Sequence, residues 1–433
     1  MENTQIQHGN TEWFVHDRFG LFITWGLYSL PARQEWVKQR EEIPDDVYEA
    51  YFKHFDPDLY EPELWAKAAA NAGMKYFVVT TKHHDGFCLW DSKLTDYKST
   101  NTPVRQDLLT PMVKAFRDHE MRVGLYHSLI DWHHTDFVID DVHSMRNHED
   151  RERLNKSRDQ AKYISYLHGQ VKELLTQFGQ VDILWFDFSY PKGIVPGVNG
   201  IGKGREDWKS IELLQMIRRL QPEIILNDRM DIDSGWDIKT PEQCQPREWV
   251  KVNGQPVVWE ACHTISGVWG YCRDASSWKS TEQLVQMLID NVSKGGNLLL
   301  NAAPTGRGEF DRYTLDRLNG IGEWMKRHSR SIYGCTAAPS QFIAPQDSRL
   351  TFNPEKNRMY VHLFGWPLLQ LHLDGFRDKV MYAQLLNDAS ELKMTSPTVS
   401  DQGASGINTN TLTLDLPAQK PDVTVPVVEL FLK

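Results

Sequence analysis

Residues 182–187 read DILWFD, a short apolar run that ends in a carboxylate. Six other runs share its near-continuous apolar character: FGLFITW (19–25), YFVVTT (76–81), RVGLYHS (122–128), EIILND (223–228), PVVWE (256–260) and NLLLNA (297–302). Strands of a parallel sheet that is covered on both faces have this composition, whereas strands with one solvated face alternate between apolar and polar residues. The sequence therefore predicts seven parallel strands.

Amphipathic helical patterns lie between these runs, at residues 62–73, 163–179, 210–223 and 280–296. Ser280 precedes the last of them as a predicted N-cap. This alternation predicts an α/β fold, a (β/α)8-like barrel over residues 1–335 whose eighth strand is irregular or missing. An open doubly wound sheet is the alternative, but no GxGxxG motif follows the first strand to support it.

The sequence pattern changes after Tyr333. Short β-rich runs separated by turn residues follow, including NTLTLDL (410–416) and VPVVELFLK (425–433). No helical pattern, internal repeat or low-complexity segment is visible there. Residues 336–433 are therefore predicted to form a C-terminal all-β sandwich domain.

Composition narrows the function classes for this chain of 433 residues. The formal net charge is -10 and there is no long Lys/Arg run, which argues against nucleic-acid binding. No run of eighteen apolar residues is present, so no membrane span is expected. A polar N-terminus and five scattered cysteines without a CxxC pair favour reduced thiols and a cytoplasmic location. The sequence leaves the oligomeric state open, including a homo-oligomer.

Barrel enzymes carry their chemistry at the carboxyl ends of the strands. In this sequence those ends bring together histidines, an arginine, aromatic residues and Asp187, which closes the run DILWFD. The side chains concerned are His83, His84, Tyr126, His127, Trp185, Asp187 and Arg229. A carboxylate in the position of Asp187 faces the mouth of a barrel and is a candidate catalytic group.

The fifteen Trp and fifteen Tyr residues offer aromatic faces on which sugar rings can stack, so one interpretation of this carboxylate is a glycosidase. Hydrolysis of a glycosidic bond needs a second carboxyl group to protonate the departing oxygen. Glu242 and Glu248 follow the fifth predicted strand, and Glu260 is predicted to end the sixth. Sequence spacing alone does not choose among the three.

Two non-glycosidase interpretations compete with this one. The first is a carbohydrate-binding barrel without activity, which would need aromatic residues but neither carboxylate. The second is a metal-dependent hydrolase that uses His83, His84 and Asp187. Adjacent strand residues point to opposite faces, so both histidines cannot easily bind one ion, and there is no HExxH motif. We expect neither a metal nor a cofactor.

Seven segments in order resemble glycoside hydrolase family 29, the α-L-fucosidases. They are RFGLFITWGLYSLPARQEW (18–36), TTKHHDGFCLWDS (80–92), LYHSLIDW (125–132), LWFD (184–187), NDR (227–229), WEACHTISGVWGY (259–271) and SKGGNLLLNAAPTGRG (293–308). The resemblance covers residues 12–335. It implies a barrel followed by a β-sandwich, and a retaining hydrolase that acts on terminal α-L-fucosyl linkages. A glycosidase for another sugar, such as galactose, remains the alternative.

The resemblance also implies roles for individual residues. Asp187 matches the nucleophile, and the segment DIKTPE places the acid/base at Glu242, with Glu260 second. The fucose-binding positions match Glu35, Trp36, His83, His84 and Arg229; Trp185 precedes the nucleophile by two residues, and Tyr126 or His127 supplies a further contact. One departure is Thr24, which stands where many members of the family have a histidine that binds a fucose hydroxyl.

Overall fold

Seven parallel strands form one curled sheet in the computed structural model, which describes residues 7–191, 202–395 and 407–433. The strands are β1 Phe19–Ile23, β2 Tyr76–Lys82, β3 Arg122–Ser128, β4 Ile183–Asp187, β5 Ile225–Leu226, β8 Glu260–Thr264 and β9 Asn297–Ala302; β6 Lys251–Val252 and β7 Gln255–Pro256 form a separate hairpin. Their order in the sheet is β5-β4-β3-β2-β1-β9-β8. The predicted barrel architecture is confirmed, with seven regular strands.

Helices precede, separate and follow the strands, and the longer ones cover the outer face of the sheet. They are α1 Glu12–Asp17, α2 Val37–Arg40, α3 Asp45–His54, α4 Pro62–Asn71, α5 Leu109–Asp118, α6 Arg151–Asn155, α7 Gln160–Gln177, α8 Arg205–Trp208, α9 Ser210–Leu220, α10 Thr281–Val292 and α11 Arg312–His328. All four predicted helices are present, and the Ser280 side chain caps α10 as predicted. None of the described helices is both long and apolar enough to cross a membrane.

The two faces of the sheet bury different apolar sets because successive strand residues point in opposite directions. Inside the barrel, Phe22, Tyr126, Trp185 and Leu299 form one cluster. Their neighbours along the strands join the larger core between the sheet and the helices. Both faces are thus apolar, which explains why the strand sequences do not alternate.

An irregular segment, residues 237–243, fills the gap between β5 and β8. Isolated parallel bridges join Asn227 to Ile238 on one side, and Glu242 to Cys262 on the other. The Ile238 side chain is fully buried in the interior cluster. This segment takes the place of the predicted irregular eighth strand, and Glu242 lies near its carboxyl end.

The sixth strand differs from the prediction. The run PVVWE (256–260) was expected to be a strand that ends at Glu260, but the strand β8 begins there and runs to Thr264. Residues 255–256 instead belong to the exposed hairpin. The prediction was wrong because burial does not follow the apolar run here. The fully buried segment is EACHT, which contains charged and polar residues.

The strands that follow form two antiparallel sheets. β10 Thr336–Ala337, β11 Ser348–Asn353, β12 Arg358–Leu363, β14 Val380–Leu385 and β17 Val427–Leu432 make the first, and β13 Gln370–Asp374, β15 Met394–Thr395 and β16 Thr411–Asp415 make the second. Apolar side chains of both sheets, such as Leu373 and Leu430, share one core. The predicted C-terminal β-sandwich is therefore confirmed.

Candidate active site

A cavity of about 120 Å³ opens at the carboxyl ends of the barrel strands. It is lined by Phe22, Thr24, Glu35, Trp36, Thr80, His83, His84, Tyr126, Trp185, Asp187, Phe188, Arg229, Glu242, Cys262 and Trp269. Nine of these were predicted from the sequence as catalytic or binding residues. Carboxylates, a guanidinium group, imidazoles and aromatic rings thus surround one small volume.

Asp187 is the last residue of β4 and points into this cavity. The Tyr126 hydroxyl donates to Asp187 Oδ2 at 2.9 Å, and Arg229 Nη1 donates to Oδ1 at 3.2 Å. Phe188 follows with φ 72°, in the left-handed region that non-glycine residues rarely adopt. Strained backbone of this kind is concentrated at functional sites, and here it turns the chain sharply after the carboxylate.

Burial raises the pKa of Asp187, because a charged carboxylate loses hydration in the cavity. The Arg229 guanidinium is the main opposing influence on this pKa, and the hydrogen bond from Tyr126 adds to it. These two donors favour the ionised carboxylate, which is the nucleophilic form.

Glu242 reaches the cavity from the irregular segment 237–243. Its Oε2 accepts a hydrogen bond from Arg229 Nη2 at 3.0 Å, and its Oε1 accepts one from the Trp269 indole at 3.1 Å. The Glu242 side chain is 40% exposed. A half-exposed carboxyl group at the mouth can reach both a leaving group and water.

Arg229 connects the two carboxylates, since one guanidinium group contacts both Asp187 and Glu242. Its Nε donates to the Thr240 hydroxyl at 3.0 Å, and the guanidinium lies over the Trp185 ring, 5.0 Å from its centroid. A planar donor held on this many sides is fixed in orientation. Arg229 therefore sets the geometry of the carboxylate pair.

The two histidines line the cavity side by side, with ring centroids 4.0 Å apart. The expectation that they point to opposite faces is wrong, because both follow the last residue of β2, Lys82, and lie outside the strand. Burial lowers the pKa of His84 to about 3 and that of His83 well below its usual value, so both rings are neutral. The Ser128 hydroxyl donates to the Ile130 carbonyl and therefore accepts from His84 Nδ1, at 2.7 Å. His84 Nε2, 3.8 Å from Asp187 Oδ2, is then left as a hydrogen-bond acceptor.

Glu35 and Trp36 come from the loop after β1. Glu35 Oε2 accepts a hydrogen bond from the Gly270 backbone N–H at 2.6 Å, and burial raises the pKa of this carboxyl group. The Trp36 ring packs edge-on against His84, at 5.0 Å between centroids. A carboxylate beside an aromatic ring is a suitable pair for a sugar, which presents both hydroxyls and apolar C–H faces.

Of the two alternatives Tyr126 and His127, the structure places Tyr126 in the cavity and His127 outside it. His127 is fully buried on the outer face of β3, where its Nδ1 lies 3.1 Å from the Thr81 hydroxyl and its ring packs near Trp90. Adjacent strand residues point to opposite faces, so only one of the two can face the barrel interior.

The structure also excludes Glu260 from the mouth of the cavity. Because β8 begins at Glu260, its side chain lies deep in the barrel, fully buried, where Tyr76 Oη donates to it at 2.5 Å. The Trp185 indole is 3.4 Å away on the other side. Glu260 thus lies below Trp185, away from bulk water, a position that does not suit an acid/base for a substrate at the mouth.

The buried position of Glu260 predicts a pH-dependent stability. Burial raises its pKa to about 7, so the folded state binds a proton more tightly than the unfolded chain does. The contribution of Glu260 to the free energy of unfolding is fully present below the pKa of this group in the unfolded chain. It is lost as pH rises to about 7, a change on the order of 3 kcal/mol. Glu260→Gln imitates the protonated form, so unfolding at pH 5 and pH 8 should show the variant gaining stability relative to wild type. If the free energies of unfolding of the two proteins changed with pH in parallel, the raised pKa of Glu260 would be refuted.

Glu248, the third predicted acid candidate, lies outside the cavity. Its side chain is 75% exposed and accepts a hydrogen bond from Lys251 Nζ at 2.7 Å, which lowers its pKa. It is a solvated carboxylate of the hairpin region.

Trp269 is the main residue that the sequence interpretation missed. It lies in the loop after β8, inside the stretch 259–271, but the sequence pattern does not point to it, because the pattern predicts a strand that ends at Glu260. A strand at Glu260–Thr264 puts Trp269 just beyond a carboxyl end, where functional side chains are expected. Among the described residues, no group of three or more His, Cys, Asp or Glu side chains is arranged to hold a metal ion.

Comparison with known proteins agrees with this geometry. A family model described as alpha-L-fucosidase matches residues 2–330, which include every lining residue of the cavity. The chain belongs to the alpha-L-fucosidase family. The human plasma alpha-L-fucosidase is 29% identical over 385 residues, which cover 82% of this chain and 76% of that protein.

Solved structures extend the likeness to the whole chain. Alpha-L-fucosidase isoenzyme 1 from Paenibacillus thiaminolyticus is 42% identical, with a TM-score of 0.90 and 98% of each chain covered. An alpha-L-fucosidase from Bacteroides thetaiotaomicron, 25% identical with a TM-score of 0.83 and 99% of each chain covered, was solved as a trapped covalent intermediate with 2-fluoro-fucosyl fluoride. The family resemblance seen in the sequence is confirmed. The chain is a glycoside hydrolase, and the retaining mechanism predicted for it is consistent with that intermediate.

Proposed function

We propose that this member of the alpha-L-fucosidase family removes terminal α-L-fucosyl groups, with Asp187 as nucleophile and Glu242 as acid/base. The observation that carries the proposal is the pairing of these two carboxylates through one guanidinium group at the cavity mouth. They are the two acidic residues that contact Arg229 there, and they reach the cavity from different segments of the barrel.

The first step forms a covalent glycosyl-enzyme. Asp187 Oδ attacks the anomeric carbon while Glu242 gives its proton to the departing glycosidic oxygen. Positive charge develops at the anomeric carbon and ring oxygen in the transition state, close to the Asp187 carboxylate. Tyr126 and Arg229 hold that carboxylate in place, which lowers the entropic cost of attack.

The second step releases the sugar. The aglycone leaves, water enters beside Glu242, and Glu242 takes a proton from that water as it attacks the anomeric carbon. The bond to Asp187 breaks, and the carboxylate is regenerated. Two inversions at one carbon give a product with the starting configuration. The exposure of Glu242 supports this exchange of aglycone for water.

The cavity favours a single sugar ring. Its volume of about 120 Å³ is smaller than the roughly 300–1,000 Å³ of cavities that enclose drug-sized ligands. Phe22, Phe188 and Cys262 give it apolar walls, which suit the C–H face and the methyl group of a 6-deoxy sugar. The histidines, Glu35 and Arg229 supply hydrogen-bonding groups for the hydroxyls.

The function is tested with 4-nitrophenyl glycosides and proton NMR. We expect rapid hydrolysis of the α-L-fucoside, much slower hydrolysis of the β-D-galactoside, and α-L-fucose as the first product before mutarotation. Excess chelator should leave the rate unchanged. A higher kcat/KM on the galactoside would assign the enzyme to galactose instead of fucose. Initial formation of β-L-fucose would contradict the double displacement.

A further inference from the structure

Asn301 lies directly behind the cavity wall, near the carboxyl end of β9. It is 2% exposed and does not line the cavity. Both ends of its amide are hydrogen-bonded: Nδ2 donates to the Trp269 carbonyl at 2.8 Å, and Oδ1 accepts from the Thr24 hydroxyl at 2.7 Å. A carbonyl can only accept, so the Trp269 contact fixes which end of the amide is Nδ2.

The loop that Asn301 holds carries donors to two carboxyl groups of the site. This loop, residues 265–271, begins where the Ile265 N–H donates to the Asn301 carbonyl at 3.3 Å. Further along, the Trp269 indole donates to Glu242, and the Gly270 N–H donates to Glu35. Glu242 and Glu35 both lie outside the loop, so the loop fixes the position of Glu242 relative to Glu35.

Gly270 shows how closely the loop approaches Glu35. A Cβ atom at position 270 would lie 2.7 Å from the Glu35 backbone nitrogen, so only glycine fits. Such a close fit leaves little freedom for the loop to shift without moving both donors. The amide of Asn301 is the side-chain contact that ties the Trp269 backbone to the barrel wall.

We infer that Asn301, oriented by Thr24, is a positioning residue that sets the loop 265–271 and thereby the placement of Glu242 and Glu35. This inference rests on the proposed role of Glu242. The inference also assigns a role to Thr24. Its hydroxyl donates its proton to Asn301 and is therefore not a donor to the sugar. Toward the cavity the Thr24 oxygen therefore offers lone pairs alone, and it can only accept a hydrogen bond from a sugar hydroxyl.

Asn301→Ala tests the inference through leaving-group chemistry. A misplaced acid impairs departure of a sugar alkoxide more than departure of 4-nitrophenolate, which needs little protonation. We expect kcat/KM on an α-L-fucosyl disaccharide to fall roughly 10- to 100-fold, and that on the 4-nitrophenyl fucoside to fall much less. Thr24→Val should give a milder loss of the same kind, whereas Thr24→Ser keeps the hydroxyl and should leave the ratio of activities on the two substrates at the wild-type value. Both variants serve if Asn301→Ala does not fold.

Asn297→Ala is the matched control. Asn297 is a fully buried asparagine of the same strand, at the opposite end of the barrel, and donates to the Phe14 carbonyl at 2.8 Å. Its loss should lower stability without changing the ratio of activities on the two substrates. An Asn301→Ala variant that behaves like Asn297→Ala, with unchanged ratio, would overturn the inference.

A double-mutant cycle with Trp269→Phe separates this inference from the proposed function. If Asn301 acts on Glu242 through the loop, Asn301→Ala should add little to the disaccharide-selective loss once the Trp269 indole N–H is gone. Fully additive losses would overturn the inference while leaving Glu242 as acid. Coupled losses would support it even if Glu242→Ala lacked the leaving-group signature, in which case the assignment of Glu242 is what fails.

Discussion

Replacing Asp187 by Asn or Gly is expected to lower kcat on 4-nitrophenyl α-L-fucoside by on the order of 10³-fold or more. The covalent step requires an anionic oxygen within reach of the anomeric carbon, and neither variant supplies one. The Tyr126 and Arg229 contacts to Asp187 are polar contacts near the cavity, so their loss should leave the barrel folded. Steady-state rates and circular dichroism measure the two effects separately.

Azide and a matched aspartate serve as controls for this prediction. Asp187→Gly leaves space for a small anion, so added azide should restore part of the rate and give a fucosyl azide. Asp182 lies just before the same strand, at the opposite end of the barrel, where it accepts from the Val123 N–H at 2.8 Å. Asp182→Asn should keep near wild-type kcat. Near wild-type kcat in either Asp187 variant would remove this residue from the mechanism.

Glu242→Ala is expected to lower kcat/KM on a fucosyl disaccharide by roughly 10²- to 10⁴-fold, the usual contribution of general acid catalysis. The loss on 4-nitrophenyl fucoside should be much smaller in the glycosylation step, because nitrophenolate departs without a proton. Azide should accelerate the second step, since it attacks the glycosyl-enzyme without a general base. Rates on the two substrates, with and without azide, give the full pattern.

Two other glutamates control for this result. Glu248→Ala removes an exposed carboxylate outside the cavity and should have little effect on either substrate. Glu260→Gln changes a buried group below Trp185 and should affect both substrates similarly. A substrate-selective loss with azide rescue in Glu260→Gln alone would contradict the assignment of Glu242.

The barrel was predictable because its strands are buried on both faces and its helices are amphipathic. Six of the seven predicted strands lie where the apolar runs placed them. The sixth was misplaced because burial there falls on EACHT, a segment with Glu260 and His263, while the apolar VV is only partly buried. Polar partners inside the barrel, such as Tyr76 for Glu260, are long-range contacts that a local pattern does not contain.

The part of the candidate site that lies at the ends of regular strands could be predicted from the sequence. Asp187, the histidine pair and Arg229 follow regular strands, so their positions at the mouth follow from the fold. Glu242 lies on an irregular segment without strand periodicity, and only the family resemblance ranked it above the other two glutamates. The choice between Tyr126 and His127 needed the register of β3, which the structure supplies.

Labelling the nucleophile tests the central claim most directly. The wild-type protein is incubated with 2-fluoro-fucosyl fluoride, the reagent found in the Bacteroides thetaiotaomicron covalent intermediate, then digested and sequenced by mass spectrometry. We predict loss of activity together with one 2-fluoro-fucosyl group on the peptide that contains Asp187, and no such label in Asp187→Asn. A label on Glu242 or any other residue, with Asp187 unmodified, would contradict the account.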